Sequence, residues 1–165
     1  MTINTKLNTA SENNFRLIFP KLPHEDKVDR NLSLHIYETI LPGVSFDASI
    51  QNWQAFQFPF NIETLKFENW SVSFDVDEKF DNWKRLFKWF TYINNNKDKA
   101  GMTIKNFVID SNLLIYDNYD NMILKCVFSY MFPINLSGVT LTIRQGEQYL
   151  TSKIDLVYAY FQLQE

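Results

Sequence analysis

Few residues in this chain are of a type and spacing that could do chemistry. His24 and His35 are the only histidines. Neither has a second histidine four positions away, the spacing that sets two imidazoles on one helix face around a metal. Asp75, Asp77 and Glu78 make a carboxylate cluster of the kind that ligates a hard cation. They also stand where a strand pattern turns into a helix pattern, and acids there cap free N–H groups and oppose the helix dipole. Capping accounts for them, with Asp77 at the switch. Cys126 is the single cysteine. It lies in a strongly apolar stretch, as an inert core thiol does, and alone it makes neither a disulfide nor a zinc site built on thiolates. The chain has no phosphate-cradling glycine loop and no G-x-S-x-G elbow. These residues predict no catalysis, no cofactor and no metal.

One further group concerns binding. Lys84, Arg85 and Lys88 fall on one side of a helical pattern, and Trp89 falls with them, away from Phe80 and Phe87. A cationic helix face is usually just solvated. An exposed tryptophan beside cations is also the kind of residue that anchors an interface.

The elements that carry these groups read most clearly between residues 70 and 93. Trp70, Val72, Phe74 and Val76 alternate with Ser71, Ser73 and Asp75, as in a strand with one buried face. From Phe80 the apolar residues fall at Trp83, Leu86, Phe87, Phe90 and Ile93, which is helical spacing. A helix over about 78–94 follows, its apolar stripe facing the core. Almost everything else reads as strand, at 14–19, 32–40, 103–109, 112–117, 122–132, 139–144 and 151–163. Residues 44–67 hold Trp53, Phe56, Phe58 and Phe60 in loose alternation and suggest a long projecting hairpin or loop. The segment 151–163 is apolar on both faces, which predicts cover on both sides.

Length and composition set the class. The 165 residues fit one domain, 14–165, preceded by a polar arm, 1–13, ordered by a partner or not at all. Sixteen Lys plus Arg against nineteen Asp plus Glu leave a net charge of −3, unlike a tight phosphate-binding surface. The polar start lacks a signal-peptide core, and no apolar run is long enough for a bilayer, so a soluble chain without membrane contact is expected.

The order of motifs resembles a known family. A strand ends in Leu41-Pro42-Gly43, and a long loop leads to W-x-V-x-F (Trp70, Val72, Phe74) and the acid-started aromatic helix. A hairpin around residues 116–121 follows, then Phe132-Pro133, a small-residue turn at 136–139 and a closing strand. This resembles the tail tube proteins of contractile-tailed bacteriophages, related to type VI secretion tube proteins, over residues 14–163.

The resemblance implies a mainly β fold, a barrel or sandwich flanked by one helix. It also implies hexameric rings that stack into a tube inside a contractile sheath. Further partners would be the baseplate and tail-terminator proteins, with DNA passing through the lumen without specific binding. Such a subunit is made in the host cytoplasm and ends in the virion tail. Contacts between rings map onto Leu41, Pro42, Gly43, Trp53, Phe56, Phe58 and Phe60, and contacts with the sheath onto Lys84, Arg85, Lys88 and Trp89. A baseplate tube initiator of the same fold is the nearest alternative. A small β-barrel that binds an apolar ligand is the alternative from another class.

Overall fold

The computed structural model describes residues 15–25, 32, 34–53, 56–117, 119–143 and 149–164, with backbone alone at 48–53 and 56–63. The expected arm, 1–13, lies outside these residues. The described strands are β1 (Phe15–Ile18), β2 (His35–Thr39), β3 (Val44–Trp53), β4 (Phe56–Phe67), β5 (Trp70–Asp75), β6 (Ile109–Tyr116), β7 (Met122–Leu136), β8 (Thr151–Val157) and β9 (Tyr160–Gln164). One α-helix, α1 (Asp81–Asn96), follows β5, and a 3-10 turn spans Ile104–Asn106.

Seven strands form one antiparallel sheet in the order β1-β6-β7-β8-β5-β2, and β9 also pairs with β7. The sheet folds over along β7. Lys125 to Ser129 pair with β9 and Met122 to Met131 with β6, whereas Phe132 to Leu136 pair with β8. The corner falls at Tyr130, whose φ is 55°. There the β6–β7 register skips between Ile109 and Ser111, and the Tyr130 N–H donates to the Asp110 carboxylate at 2.9 Å. A bulge of this kind bends a strand and re-aims its far half. Two leaves therefore face each other as a sandwich with α1 beside it, the mainly β fold that was expected.

The alternation read over Trp70, Val72 and Phe74 is the buried face of β5. Trp70 stacks on Phe128 of β7 across the leaves, ring centroids 4.1 Å apart and planes 8° from parallel, with Tyr158 and Phe161 around the pair. The Trp70 Nε1–H donates to Thr39 Oγ1 at 2.9 Å, so its polar handle is satisfied. Trp70 and Phe128 are both fully buried in the core between the leaves.

Several expected elements differ. The helix starts at Asp81, and Asp77 does not cap it. Asn82, buried in the first turn, makes the junction instead. Its Oδ1 accepts the Asp77 N–H at 3.2 Å and the Trp83 N–H at 2.7 Å, and its Nδ2 donates to the Asp75 carbonyl at 2.8 Å. One amide thus ties the end of β5 to the start of α1. Replacing Asn82 with alanine should cost about 2 kcal/mol, as for a lost cap that also strands buried backbone groups. Asp77→Ala should stay within about 0.5 kcal/mol. Urea unfolding of the two variants checks the order, and equal costs would contradict this account of the junction.

Residues 103–106 form a turn rather than a strand, because the Asn106 side chain accepts the Thr103 N–H at 2.8 Å and closes the 3-10 turn locally. Residues 139–143, expected as a strand, are irregular among the described residues. The long last strand is two, β8 and β9, broken at Tyr158 and Ala159. The break changes which residues face the core. Ile154 and Leu156 point inward before it, and Phe161 packs inward after it. Two apolar faces therefore reflect a change of parity, not cover on both sides.

Candidate functional site

The groups singled out for chemistry are dispersed. Among the described residues, no three of His, Cys, Asp and Glu come together as a metal site. His35 is exposed and its Nε2 stands 3.9 Å from Asp77, a surface pair of little energetic weight. Cys126 is fully buried, and burial pushes its thiol above the ordinary value, away from the reactive thiolate.

His24 belongs to a different structure, a polar lock between the connection after β1 and helix α1. The Glu25 side chain is 4% exposed and faces Arg85, whose Nε and Nη2 donate to the two carboxylate oxygens at 2.5 and 2.7 Å. The Leu22 N–H adds a third bond at 3.2 Å. Burial alone would raise the Glu25 pKa, but these bonds outweigh it and hold the carboxyl below its ordinary 4.5. His24 lies against Glu25, Arg85, Lys88 and the Tyr92 ring, with Nδ1 buried and unpartnered. Burial lowers its pKa below the ordinary 6.5, Glu25 opposes this, and Lys88 and Arg85 add to it.

Both shifts make acid destabilising. A depressed folded-state pKa means the unfolded chain binds protons first, so stability is full above the unfolded value and falls below it. His24 acts below about pH 6.5 and Glu25 below about 4.5. Stability from urea titrations is therefore expected to be level near neutrality and to decline in two steps on acidification. His24→Gln should remove the upper step and keep the lower one. An unchanged upper step in that variant would locate the titrating group elsewhere.

Helix α1 is rotated relative to the expected stripe. Its buried residues are Asn82, Leu86 and Trp89. Trp89, expected on the outer face with Lys84, Arg85 and Lys88, is fully buried, and its Nε1–H donates to the Phe107 carbonyl at 3.0 Å. Arg85 is committed to Glu25. Of the cationic group, Lys84 and Lys88 remain on the surface. The outward aromatic is Phe87, 49% exposed and stacked on Trp83 at 5.4 Å. Trp83 and Phe87 are four residues apart, the spacing at which rings on one helix face meet, and that signal was available in the sequence.

The segment 44–67 is the projecting hairpin, β3 with β4, a separate two-stranded sheet. Neither strand has a third strand beside it among the described residues. Trp53 is opposite Phe56 and Gln51 opposite Phe58 at the far end, with Phe60 beyond them on β4; the side chains of these residues lie outside the described set. The base is anchored by reciprocal bonds between Gly43 and Glu68 and by Phe67, whose ring meets Tyr158 and Phe161 at 5.9 and 5.5 Å. Leu41 is exposed and Pro42 buried in the turn that leads into it.

The described part of the hairpin has two unlike faces. Val44 is opposite Phe67 and Phe46 opposite Leu65, while Ser45 is opposite Lys66, which pairs with Asp47. Val44 and Phe46 are 54% and 59% exposed, and Ile40, four residues before Val44, is 68% exposed. This apolar face is carried on a hairpin whose outer edges are unpaired among the described residues. Val44 and Phe46 were missed as site residues, although their alternation with Ser45 and Asp47 was there to be read.

No protein-family model matches the chain, and no curated protein does. Solved structures do match. A chain of the cryo-EM structure of the anti-feeding prophage (AFP) baseplate aligns with a TM-score of 0.71 at 8% identity, over 95% of this chain and 96% of that one. A chain of the AFP tube-terminating cap aligns at 0.66 and 13% identity, over 99% of each. The fold is tail-tube-like. A chain of the PVC sheath-tube complex, an extracellular contractile injection system, aligns at 0.58 and 12% identity, over 96% of this chain and 93% of that one. The tail-tube-like fold thus spans nearly the whole chain at identities where only the fold is shared. No described helix is long and apolar enough to cross a membrane.

Proposed function

We propose that this chain is a non-catalytic structural subunit of the tube of a contractile injection apparatus, assembling with copies of itself into stacked rings. The observation that carries the reading is the β3–β4 hairpin. Among the described residues it offers two unpaired edges and an exposed apolar face at Val44 and Phe46, on a fold shared with chains of tube-bearing assemblies. A free monomer gains nothing from such a surface, while a neighbouring ring would cover it. In this reading residues 41–67 make the contacts between rings. The surface of α1 with Lys84, Phe87 and Lys88 faces the sheath, Arg85 and Trp89 being engaged inside the subunit. A tail of a virion, hexameric rings and passage of DNA through the lumen are the finer form of the proposal, with baseplate and terminator proteins as end partners.

The likeness to AFP baseplate and cap chains favours one second reading, a position at an end of the tube rather than along it. Electron microscopy separates the two. The purified full-length chain is expected to form rings that stack into tubes, whereas removal of residues 50–59 leaves a folded subunit and at most single rings. Single rings from the full-length chain as well would indicate an end component. Tubes of normal length from the deletion would mean that the hairpin packs on its own protomer.

A further inference from the structure

The β3–β4 hairpin is a long lever on a narrow base. The ten residues of β3 extend up to about 33 Å, so a swing of about 10° at the base would move the tip by about 6 Å. That exceeds the spacing of about 4.8 Å between paired strands, enough to lose whatever contact the tip makes. A two-stranded ribbon does not fix its own direction. The groups that hold its two roots do.

The roots are short links. Residues 40–43 join β2 to β3, and Glu68 and Asn69 join β4 to β5. Glu68 braces the two links against each other, because its N–H donates to the Gly43 carbonyl at 3.2 Å and its Oε2 accepts the Gly43 N–H at 3.2 Å. A Cβ at position 43 would stand 2.9 Å from that same oxygen and push the carboxylate away, so the brace calls for glycine. Tyr158 ties the brace to the sandwich, its hydroxyl donating to the Glu68 carbonyl at 2.8 Å. The Tyr158 ring is held in turn, edge-on to the fully buried Phe128 at 5.0 Å. The next residue, Ala159, donates its N–H to the Ser129 carbonyl at 3.0 Å. Burial and the Glu68 carboxylate push the Tyr158 pKa up to about 12, so the hydroxyl keeps its proton and stays a donor. The break between β8 and β9 thus falls where the chain hands a fixed hydroxyl to the base of the hairpin.

We infer that Gly43, Glu68 and Tyr158 are positioning residues: they fix the direction in which the hairpin leaves the sandwich, and stacking of rings depends on that direction. The inference deepens the tube reading, and its second half rests on that reading. Direction and stability are separable at this place. Glu68 and its bond with Tyr158 are exposed, so water takes over the hydrogen bond and the subunit loses little by its removal. Water satisfies the carbonyl but does not hold it against the sandwich.

The test uses the full-length chain with spin labels on two introduced cysteines, Asn52→Cys near the hairpin tip and Asn95→Cys on the exposed side of α1. Cys126 is fully buried and stays unlabelled. Double electron–electron resonance reads the distance between the labels in unassembled chain isolated by gel filtration. The labelled parent is expected to give one narrow distance. Tyr158→Phe, which keeps the ring and loses only the hydroxyl, and Gly43→Ala should each broaden or displace it, with the thermal midpoint and far-UV circular dichroism unchanged. Glu68→Gln keeps an oxygen for the Gly43 N–H and should give the parent distance. In electron micrographs of the unlabelled variants, Tyr158→Phe and Gly43→Ala should form single rings at the parent yield and lose the stacks. A parent-like distance in Tyr158→Phe overturns the inference, because the direction would then not depend on the hydroxyl. Broadened distances together with stacks of parent length overturn it equally. A parent chain that never forms rings defeats the tube reading and the second half with it, whereas the distances still decide the first.

Discussion

Trp89→Ala is expected to destabilise the subunit by about 3–5 kcal/mol, the range for removing a large buried aromatic side chain. Trp89 has no exposed surface and packs in the same core cluster as Leu86, Phe19 and Leu22. Its truncation leaves a cavity between helix and sheet and strands the Phe107 carbonyl, which accepts the indole N–H. Phe87→Ala is the internal control. It removes a half-exposed ring whose partner is the Trp83 ring, a contact of about 0.5–1.5 kcal/mol. Urea unfolding followed by far-UV circular dichroism gives both values. If Trp89→Ala were as mild as Phe87→Ala, the tryptophan would not be the anchor of the helix, and the outward placement read from periodicity would stand.

The reversal of Trp89 and Phe87 shows where hydrophobic periodicity fails. Seven apolar or aromatic positions in sixteen residues leave the stripe wide, and its centre is then set by polar residues. Asn82 and Arg85 both turn toward the protein because each has a partner there, the β5–α1 junction and Glu25. Those partners are distant in space rather than in pattern, so counting apolar residues cannot find them. Strand β5 was legible because nothing competes with its alternation. The break between β8 and β9 was not, because a change of parity and double cover leave the same apolar letters. At residues 103–106 a side chain–backbone bond from Asn106 decided against the strand, a local choice that composition does not reveal. Of the candidate site, the projecting hairpin was visible from Trp53, Phe56, Phe58 and Phe60, but the described apolar face runs through Val44 and Phe46. The order of motifs carried the fold further than any single element did, since order records topology while each strand records only its own faces.

Reversing Arg85 alone is expected to cost about 3–5 kcal/mol, whereas reversing Lys84 and Lys88 together should change stability by no more than about 1 kcal/mol. The three cations look alike in sequence and differ in what they touch. The Arg85 guanidinium, 21% exposed, meets a carboxylate that is 4% exposed, in two parallel bonds. Arg85→Glu sets two carboxylates face to face with little water to screen them, and the Leu22 N–H cannot compensate both. Among the described residues Lys84 donates to the Lys79 carbonyl at the surface, so its reversal costs one exposed hydrogen bond. The exchange Glu25→Arg with Arg85→Glu restores opposite charges and should recover part of the loss, which separates pair formation from simple tolerance at either position. Chemical denaturation of these three variants, and of Glu25→Arg alone to complete the cycle, measures all of this. The outcome also decides how contact with a sheath is tested. A charge reversal that includes Arg85 would impair assembly by weakening the subunit, so the outer face must be probed through Lys84 and Lys88. If Arg85→Glu proved as mild as the double lysine reversal, the Glu25–Arg85 pair would behave as a solvated one, and all three cations would again be available to a partner.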